Sequence, residues 1–524
     1  MTIYSFSPFG YEGALVTIEV DLRRGIPAVD IVGLADGAVK ESRERMQAAV
    51  RNSGFDFPPE RVLISLSPAD LKKEGAGFDL PIALGVLAAN AEANGEKSFI
   101  SDPILVMGEL ELSGKVRPVK GVHAAVSTAV ASGIMRFIVP VQNADEAREV
   151  AGVQVYGADS LENAFRALTD YAFYEGRGIS GGDKSYLPPG CMEYDGVHFI
   201  EVSSGYEYAE LKGQRQLIRA LQIAAAGGHN LLALGAPGCG KTMAIQKFPA
   251  INPLLTLEEA QSVTRIWSLA GLIKPSEPLI RVPPFRMPHQ TSSIEGICGG
   301  GVNCRPGEIS LAHNGVLFLD EAGEFRSSVL QMLRVPLESG SITLCRAGRS
   351  TNYPARFQLL MAVNPCPCGN LGSKSKICLC SAKSIDQYWK KFSAPLIDRV
   401  DLRVFVENNA EEIGEPEPRP GLETTEQIRR GVATAVKAQR KRQGIKNALL
   451  SPQEVLDYCP IDSDGQEILN SAIMRYGFSP RAISSCIKVA RTIADIDASP
   501  VITPPHLSEA IDFHKLCSNL VPEL

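Results

Sequence analysis

One eight-residue segment near the middle of the chain constrains its fold more than any other feature. Residues 231–234 are apolar, as expected of a buried strand, and lead into a segment of the form G-x-x-x-x-G-K-[ST]. Glycines there let the backbone wrap around a triphosphate with its N–H groups pointing inward. The lysine can then reach the β- and γ-phosphates, and the hydroxyl can hold Mg²⁺. The predicted phosphate loop comprises Gly235, Ala236, Pro237, Gly238, Cys239, Gly240, Lys241 and Thr242.

A second motif further along the chain supplies the acidic groups that such a loop needs. Residues 316–319 are Val-Leu-Phe-Leu, and Asp320 and Glu321 follow directly. A buried strand that ends in paired acids places one carboxylate to organise Mg²⁺ and the next to polarise a water molecule. On its own, the glycine-rich segment could also be a surface turn with an exposed lysine. With the acidic pair present, we predict that the chain binds and hydrolyses a nucleoside triphosphate.

Composition limits the class of protein. The chain has 524 residues, enough for three or four domains, with 44% hydrophobic and 21% charged residues. We see no secretion signal at its start and no run of about 18 apolar residues, so we predict a cytoplasmic protein without a membrane span. The net charge of −6 argues against a uniformly basic surface but leaves room for a local basic channel. In that compartment, the 12 cysteines are expected as thiols or metal ligands rather than disulfides.

Patterning divides the chain into four parts. Residues 1–170 alternate strand-like and helical stretches, with helices predicted over 35–53 and 80–90 and a hairpin over 104–119 that turns at residues 113–114. Residues 171–205 are rich in glycine and proline and are predicted to be a linker. A nucleotide-binding domain is expected over 206–408. A polar stretch then leads into a helical domain over 424–524.

Several blocks after residue 205 have a distinctive order and spacing: residues 210–214, 284–289, 299–301, 306–321, 353–357, 364–369 and 489–495. Through these blocks the chain resembles the magnesium-chelatase-like AAA+ ATPases, and the ComM/YifB family among them. The resemblance implies an α/β fold, with an AAA+ P-loop core, a helical lid and ATP with Mg²⁺ as cofactors.

The same resemblance assigns roles to three further residues. Asn364 matches sensor 1, which positions the attacking water together with Glu321. Arg399 matches the arginine finger that reaches the γ-phosphate of a neighbouring subunit, which implies a homo-hexameric ring; the alternative is a local ion pair with Asp398 or Asp401. Arg481 matches sensor 2 on the helical lid.

The turn after the acidic pair departs from the family pattern. Ala322 and Gly323 stand where a bulkier apolar residue and a proline are expected. Because glycine is conformationally permissive, we expect Gly323 to loosen this turn.

A hairpin is predicted between the acidic pair and Asn364. Residues 341–350 and 353–363 form two strand-like runs joined by a turn at residues 347–348, with Arg346 and Arg349 near the tip. The resemblance places such a hairpin in the central pore of the ring, where arginines would suit a phosphate backbone. The alternative is an exposed hairpin whose arginines only keep it soluble.

Four cysteines are paired in a way that resembles a zinc site. Cys366 and Cys368 form one C-x-C pair, and Cys378 and Cys380 form another. Four thiolates would make a structural site with no open catalytic position, and its role would be to rigidify the loop after Asn364. Reduced, metal-free thiols are the alternative.

Residues 1–170 resemble an α+β, S5-like domain of the Lon-protease type, most clearly over 108–118. That fold's protease uses a Ser–Lys dyad. Alignment puts Asp79 at the nucleophile position and His123 at the lysine position, although Lys120 and Ser67 lie nearby. Because both catalytic residue types are missing, we expect a scaffold domain and not an active protease.

Together these inferences predict an ATP-driven hexameric DNA translocase or helicase. The resemblance implies that it remodels or migrates branched DNA, single-stranded or branched DNA being its partner, during recombination of incoming DNA, with recombination proteins as possible further partners. One alternative is a protein-remodelling ATPase of the chelatase-like or protease-associated type. Another is an ATP-dependent switch that acts as an assembly scaffold.

Overall fold

The computed structural model has three successive parts, which are N-terminal, central and C-terminal along the chain. It describes residues 2–34, 36–69, 71, 73, 75–95, 99, 101–174, 187–201, 205–211, 214–301, 304–346, 349–372, 376–406 and 424–515. The centre of the predicted linker (175–186), the polar stretch 407–423 and the last nine residues lie outside this part of the chain.

The N-terminal part combines a mixed seven-stranded sheet, in the order β3-β4-β2-β1-β5-β8-β9, with helices and a small two-stranded ribbon, β6-β7. Its strands are β1 (Ile3–Ser7), β2 (Ala14–Arg23), β3 (Val29–Val32), β4 (Arg61–Ser67), β5 (Ile104–Val106), β6 (Glu109–Leu110), β7 (Val116–Arg117), β8 (Arg136–Pro140) and β9 (Gln154–Ala158). Its helices are α1 (Gly37–Asn52), α2 (Asp79–Ala93), α3 (Val122–Ala131), α4 (Ala144–Arg148) and α5 (Leu161–Ala167).

The local predictions for this part hold for the helices and only partly for the hairpin. Both predicted helices are present as α1 and α2. The predicted hairpin turns where expected, between β6 and β7. Its first residues, however, form β5, which pairs in parallel with β1 and β8 inside the large sheet. The continuous apolar run Ile-Leu-Val of β5 is typical of a strand that is covered on both faces.

The central part contains a five-stranded parallel sheet in the order β13-β16-β19-β12-β20. Every residue of β12, β16 and β19 is buried, which explains why these strands are apolar apart from Gln358, whose side chain donates to the carbonyls of Ala224 and His229. The strands are β10 (Met192–Tyr194), β11 (Val197–Phe199), β12 (Leu231–Gly235), β13 (Phe285–Arg286), β14 (Gly299–Gly300), β15 (Arg305–Pro306), β16 (Val316–Leu319), β17 (Ser341–Arg346), β18 (Arg349–Pro354), β19 (Gln358–Val363) and β20 (Leu402–Val406). The helices are α6 (Arg215–Gly227), α7 (Lys241–Gln246), α8 (Leu257–Ala270), α9 (Ile294–Cys298), α10 (Glu308–Leu311), α11 (Ser327–Met332), α12 (Arg334–Ser339), α13 (Ala382–Trp389) and α14 (Ala394–Ile397).

The predicted linker contains structure that the sequence analysis missed. Strands β10 and β11 form an antiparallel hairpin, and Val197 and Phe199 of β11 are buried in the core of the central part. The Arg429 guanidinium lies 5.4 Å from the centre of the Phe199 ring and donates to the carbonyl of Ile200 at 2.6 Å. This hairpin therefore belongs to the packed structure.

The C-terminal part is helical, as predicted, and shares a hydrophobic core with the central part. Ile428 and Val432 of α15 and Val489 and Ile493 of α18 lie in one buried cluster with Leu221 of α6. The helices are α15 (Thr425–Arg442), α16 (Pro452–Tyr458), α17 (Ser463–Tyr476), α18 (Pro480–Ile496) and α19 (Pro504–His514). None of the helices in the described ranges is long and apolar enough to cross a bilayer.

The N-terminal part docks on α8 of the central part. The backbone N–H of Gly121 donates to the carbonyl of Ser268 at 3.0 Å. The Ser268 hydroxyl donates in turn to the buried carboxylate of Glu146 at 2.5 Å. Buried hydrogen bonds of this kind fix the relative position of the two parts.

Candidate active site

The phosphate loop joins the carboxyl end of β12 to the start of α7, as the sequence predicts. Gly238 and Gly240 have φ of +80° and +86°, a backbone region that residues with a side chain rarely adopt. The buried ammonium of Lys241 donates to the carbonyl of Gly235 at 2.6 Å and to that of Ala236 at 2.9 Å. Burial lowers the pKa of Lys241.

The predicted magnesium ligands lie in contact. The Thr242 hydroxyl donates to Oδ1 of Asp320 at 2.8 Å. Asp320 directly follows β16, which lies two strands away from β12 in the parallel sheet. Because hydroxyl and carboxylate oxygens are ligands that Mg²⁺ prefers, the donor set fits the predicted ion.

Glu321 is held in an unusual backbone conformation. Its φ of +49° lies in the left-handed region, which costs a residue with a side chain roughly 1–2 kcal/mol. Its N–H donates to Oδ1 of Asp320 at 3.0 Å, and the side chain is exposed. Strain of this kind is concentrated at functional sites.

The turn after Glu321 is tight, contrary to our expectation for Gly323. A Cβ on Gly323 would overlap the Tyr388 hydroxyl. The ammonium of Lys391 donates to the carbonyl of Gly323 at 2.6 Å. The expectation of a loose turn is therefore wrong, because glycine is needed here for close packing and not for freedom.

Asn364 joins the same edge of the sheet. It follows β19, the strand between β12 and β16, and its Oδ1 lies 3.4 Å from Nζ of Lys241. Parallel strands bring their carboxyl ends to one edge, where ligands bind in open α/β sheets. Lys241, Asp320, Glu321 and Asn364 thus converge as the sequence indicated.

Arg399 and Arg481 lie elsewhere. The carbonyl of Arg399 accepts a hydrogen bond of 2.8 Å from the side chain of Asn230, which precedes β12. Arg399 is therefore at the amino edge of the sheet. Its guanidinium pairs with Glu338 and not with Asp398 or Asp401, and its side chain is only 9% exposed. Hydrogen bonding to Arg399 lowers the pKa of Glu338.

The two arginines share a cavity. Arg481 lies 3.9 Å from Asp398 and lines, with Arg399, a space of about 980 Å³. Lys446 and Lys488 line the same space, and burial lowers the pKa of both. Strand β12 is five residues long, so its two ends are roughly 13 Å apart at about 3.3 Å per residue. The structure therefore places these arginines together but away from Lys241 of the same chain.

The four paired cysteines form a cluster. Sγ of Cys366 lies 3.4 Å from that of Cys368 and 3.6 Å from that of Cys378, and Cys368 and Cys378 are 3.7 Å apart. All four sulfur atoms, including that of Cys380, lie within 4.8 Å of one another. Thiolates bound at about 2.3 Å to one zinc ion are about 3.8 Å apart, so the donor set fits tetrahedral zinc.

The loop that carries this cluster touches the phosphate loop. A Cβ on Gly369 would lie 2.5 Å from the ring of Pro237. Behind the loop, the indole N–H of Trp389 donates to the carbonyl of Pro365 at 3.1 Å. Asn364 and the cysteine cluster are thus part of one wall of the nucleotide site.

The predicted hairpin is present only in part, as β17 and β18: its second strand is Arg349–Pro354, and Gln358–Val363 of the predicted run 353–363 forms β19 of the parallel sheet. The antiparallel register of the hairpin pairs Arg346 with Arg349 and Ile342 with Tyr353. The turn residues 347–348 and the side chains of both arginines lie outside the described part of the structure.

Asp79 and His123 have structural surroundings. Asp79 is buried and forms an ion pair with Arg45, with distances of 2.9 and 3.0 Å, and it also accepts a bond from Ser42. His123 is buried in α3, and burial lowers its pKa to about 3. Neither side chain offers an exposed nucleophile or base.

Sequence analysis missed the residues that support the site from behind. Gln214 donates to the carbonyl of Cys239 at 2.6 Å and so fixes the phosphate loop. Tyr388 fills the space next to Gly323. The sequence carried two signals: Gln214 ends one of the blocks that carry the family resemblance, and an unexpected glycine such as Gly323 often marks a close approach.

Comparisons with known proteins find sequence matches in all three parts of the chain. The family model described as "Magnesium chelatase, subunit ChlI" matches residues 207–413, "Subunit ChlI of Mg-chelatase" matches 18–143, and the ChlI C-terminal model matches 422–514. The chain is 36% identical over 523 residues to the uncharacterized protein YifB of Escherichia coli, covering 98% of this chain and 97% of that protein. It is 37% identical over 521 residues to Competence protein ComM of Haemophilus influenzae, with the same coverage.

A more distant relative matches only part of the chain. The magnesium-chelatase 38 kDa subunit of Acidiphilium rubrum is 27% identical over 186 residues, which cover 30% of this chain and 53% of that subunit. YifB and ComM, by contrast, match along nearly the whole length. The chain therefore belongs to the magnesium-chelatase-like ComM/YifB family of AAA+ proteins.

Proposed function

We propose that the chain is an ATPase motor that forms a hexameric ring and moves along DNA, remodelling or migrating branched DNA during recombination of incoming DNA. The observation that carries the ATPase proposal is the convergence of Lys241, Thr242, Asp320, Glu321 and Asn364 at the carboxyl edge of the parallel sheet. The competence-protein name of one relative supports a role with incoming DNA. Proteins of DNA recombination are further partners on this proposal.

Each side chain of the site has one task in hydrolysis. Lys241 binds phosphate oxygens and compensates their charge. Thr242 and Asp320 hold Mg²⁺, which, when bound, neutralises charge that develops on the transferring group. Glu321 orients a water molecule and takes its proton, and Asn364 positions that water.

Arg399 and Arg481 act on the nucleotide of the next subunit. Both lie at the amino edge of the sheet, opposite their own phosphate loop. In a ring, this edge of one copy faces the carboxyl edge of its neighbour, so two guanidinium groups complete a site that a single chain leaves without them. This arrangement supports the ring, and we propose six copies from the family resemblance.

The hairpin of β17 and β18 is the DNA-contacting element of this motor. Its two tip arginines, Arg346 and Arg349, would be repeated in every subunit around a central channel. Arginine side chains bind phosphate oxygens independently of sequence. The double Ala variant is expected to keep basal ATPase activity and lose stimulation by DNA, with a flatter dependence of DNA affinity on salt.

A protein-remodelling ATPase is the second candidate function. The match to the magnesium-chelatase 38 kDa subunit favours it. ATPase rates measured with single-stranded DNA, branched DNA and an unfolded protein distinguish the two functions. Stimulation by either DNA supports the motor proposed here, and stimulation by the unfolded protein alone contradicts it.

Three further assignments complete the proposal. The four-cysteine cluster holds one structural Zn²⁺, because its sulfur separations match a tetrahedral thiolate site. The N-terminal domain is a Lon-protease-like scaffold without protease activity, since Asp79 and His123 are buried in structural contacts. We place the protein in the cytoplasm.

A further inference from the structure

The turn between β1 and β2, residues 8–13, contacts the hairpin of β17 and β18. The backbone N–H of Tyr11 donates to the Thr351 hydroxyl at 3.2 Å. Gly10 has φ of +63°, and a Cβ there would overlap the same hydroxyl. The Tyr11 ring meets the buried Tyr353 ring edge-on, with ring centres 6.2 Å apart. The turn therefore lies directly against the second strand of the hairpin.

Helix α8 holds this turn in place. The Arg265 guanidinium donates to the carbonyls of Tyr11 and Glu12, both at 3.0 Å, and to the Thr128 hydroxyl at 2.9 Å. It also lies 4.8 Å from the centre of the Tyr11 ring, within the range of a cation–π contact. Two bonds donated to the turn and the cation–π contact with Tyr11 leave the turn little freedom relative to the ATPase core.

The same turn is connected to the strands that carry the catalytic residues. The Tyr11 hydroxyl lies 3.4 Å from that of Ser262, which lies 3.0 Å from Nε2 of His313. Nδ1 of His313 accepts the N–H of Arg356 at 3.1 Å. Burial lowers the pKa of His313 to about 4, so a neutral imidazole accepts at Nδ1 and donates from Nε2 to Ser262. His313 lies just before β16 and Arg356 just before β19.

The hairpin itself needs such support. Strands β17 and β18 pair only with each other in the described structure, and an isolated two-stranded hairpin is marginally stable. Ile342, Leu344 and Tyr353 pack one face on the hydrophobic core. The contact of Thr351 with the turn adds a second anchor, which comes from the N-terminal domain.

We propose that residues 8–13 are a brace that sets the position of the hairpin, and that Tyr11 and Thr351 are positioning residues for it. The N-terminal domain then takes part in coupling the hairpin to the ATPase core. The contacts above support the brace itself, whereas its effect on stimulation by DNA rests on the proposed function.

The full-length Thr351→Val variant tests the brace, because valine keeps the shape and removes the acceptor for Tyr11. We expect amide hydrogens of residues 349–353 to exchange roughly tenfold faster, with basal ATPase activity unchanged. On branched DNA, the concentration for half-maximal stimulation should rise. Thr351→Ser, which keeps a hydroxyl, should restore both properties. Thr343→Val is the matched control, since Thr343 is an exposed threonine of the other hairpin strand.

Gly10→Ala tests the same contact from the other side. Its Cβ should push the turn off Thr351 and produce the same faster exchange. Unchanged exchange at residues 349–353 in both Thr351→Val and Gly10→Ala would overturn the brace. Faster exchange in a protein whose ATPase activity never responds to DNA would leave the brace standing and count against the DNA motor.

Discussion

At the scale of single residues, Lys241 and Glu321 are proposed to act at different stages of ATP hydrolysis. On the proposed function, Lys241 contacts phosphate before any bond breaks, whereas Glu321 acts on the water that attacks. Lys241 begins α7 after the loop that follows β12, Glu321 lies just after β16, and the two residues share no hydrogen bond in the described structure. Their substitutions should therefore have separable effects.

Lys241→Ala is expected to abolish productive ATP binding, and Glu321→Gln to preserve binding while slowing hydrolysis by roughly 100-fold or more. Nucleotide affinity by titration and steady-state turnover measure both. Equal loss of affinity in the two variants would show that Glu321 has a structural role.

Gly323→Ala is expected to destabilise the protein by about 1–3 kcal/mol, a typical cost of overpacking, and to lower turnover. Its added methyl group overlaps the Tyr388 hydroxyl next to the catalytic turn. Combining it with Tyr388→Ala opens the space, so the two changes should be strongly non-additive in denaturant unfolding. Gly37→Ala is the control, because a Cβ there meets nothing within 4 Å. Additive effects would contradict the packing explanation.

At the scale of elements, the sequence predicted buried parallel strands well and short or exposed ones poorly. Strands β12, β16 and β19 are recognisable because coverage on both faces requires nearly unbroken apolar runs. The hairpin β10-β11 was missed because each strand has only three residues, in a segment rich in glycine and proline, and because it is stabilised by distant contacts such as that of Arg429. Periodicity carries no information about such partners.

The loop between Asn364 and α13 carries the four clustered cysteines, and its predicted zinc content can be measured. Cys366→Ser is expected to lose zinc, and the parent protein to contain about one equivalent per chain. Elemental analysis after removal of any affinity tag measures both. Cys345→Ser is the control, because Cys345 is exposed on the hairpin and outside the cluster. A parent protein without zinc would contradict the site.

At the scale of the whole molecule, the sequence identified candidate catalytic residues but could not say which edge of the sheet each would occupy. The motifs of Arg399 and Arg481 are recognisable in the chain, yet their distance from Lys241 follows from the direction of β12 and from how α18 packs on α6. Similarly, nothing in the sequence indicated that residues 8–13 would meet the hairpin, since these segments are far apart in the chain.

Mixing Arg399→Ala with Lys241→Ala should restore part of the ATPase activity. Some interfaces of a mixed ring then combine an intact phosphate loop with an intact arginine, a group worth about 10³-fold or more in turnover. The measurement compares the mixture with the sum of the separate variants. A mixture that never exceeds that sum would contradict action between subunits.

The position of the two arginines also makes activity a question of mass action. On the proposed action between subunits, a single chain lacks these two guanidinium groups at its own phosphate loop, and only contact with another copy supplies them. Turnover per chain should therefore fall on dilution, steeply near the concentration at which rings dissociate. In a cell, the concentration of the protein would then determine whether active rings form at all, as well as how many of them there are.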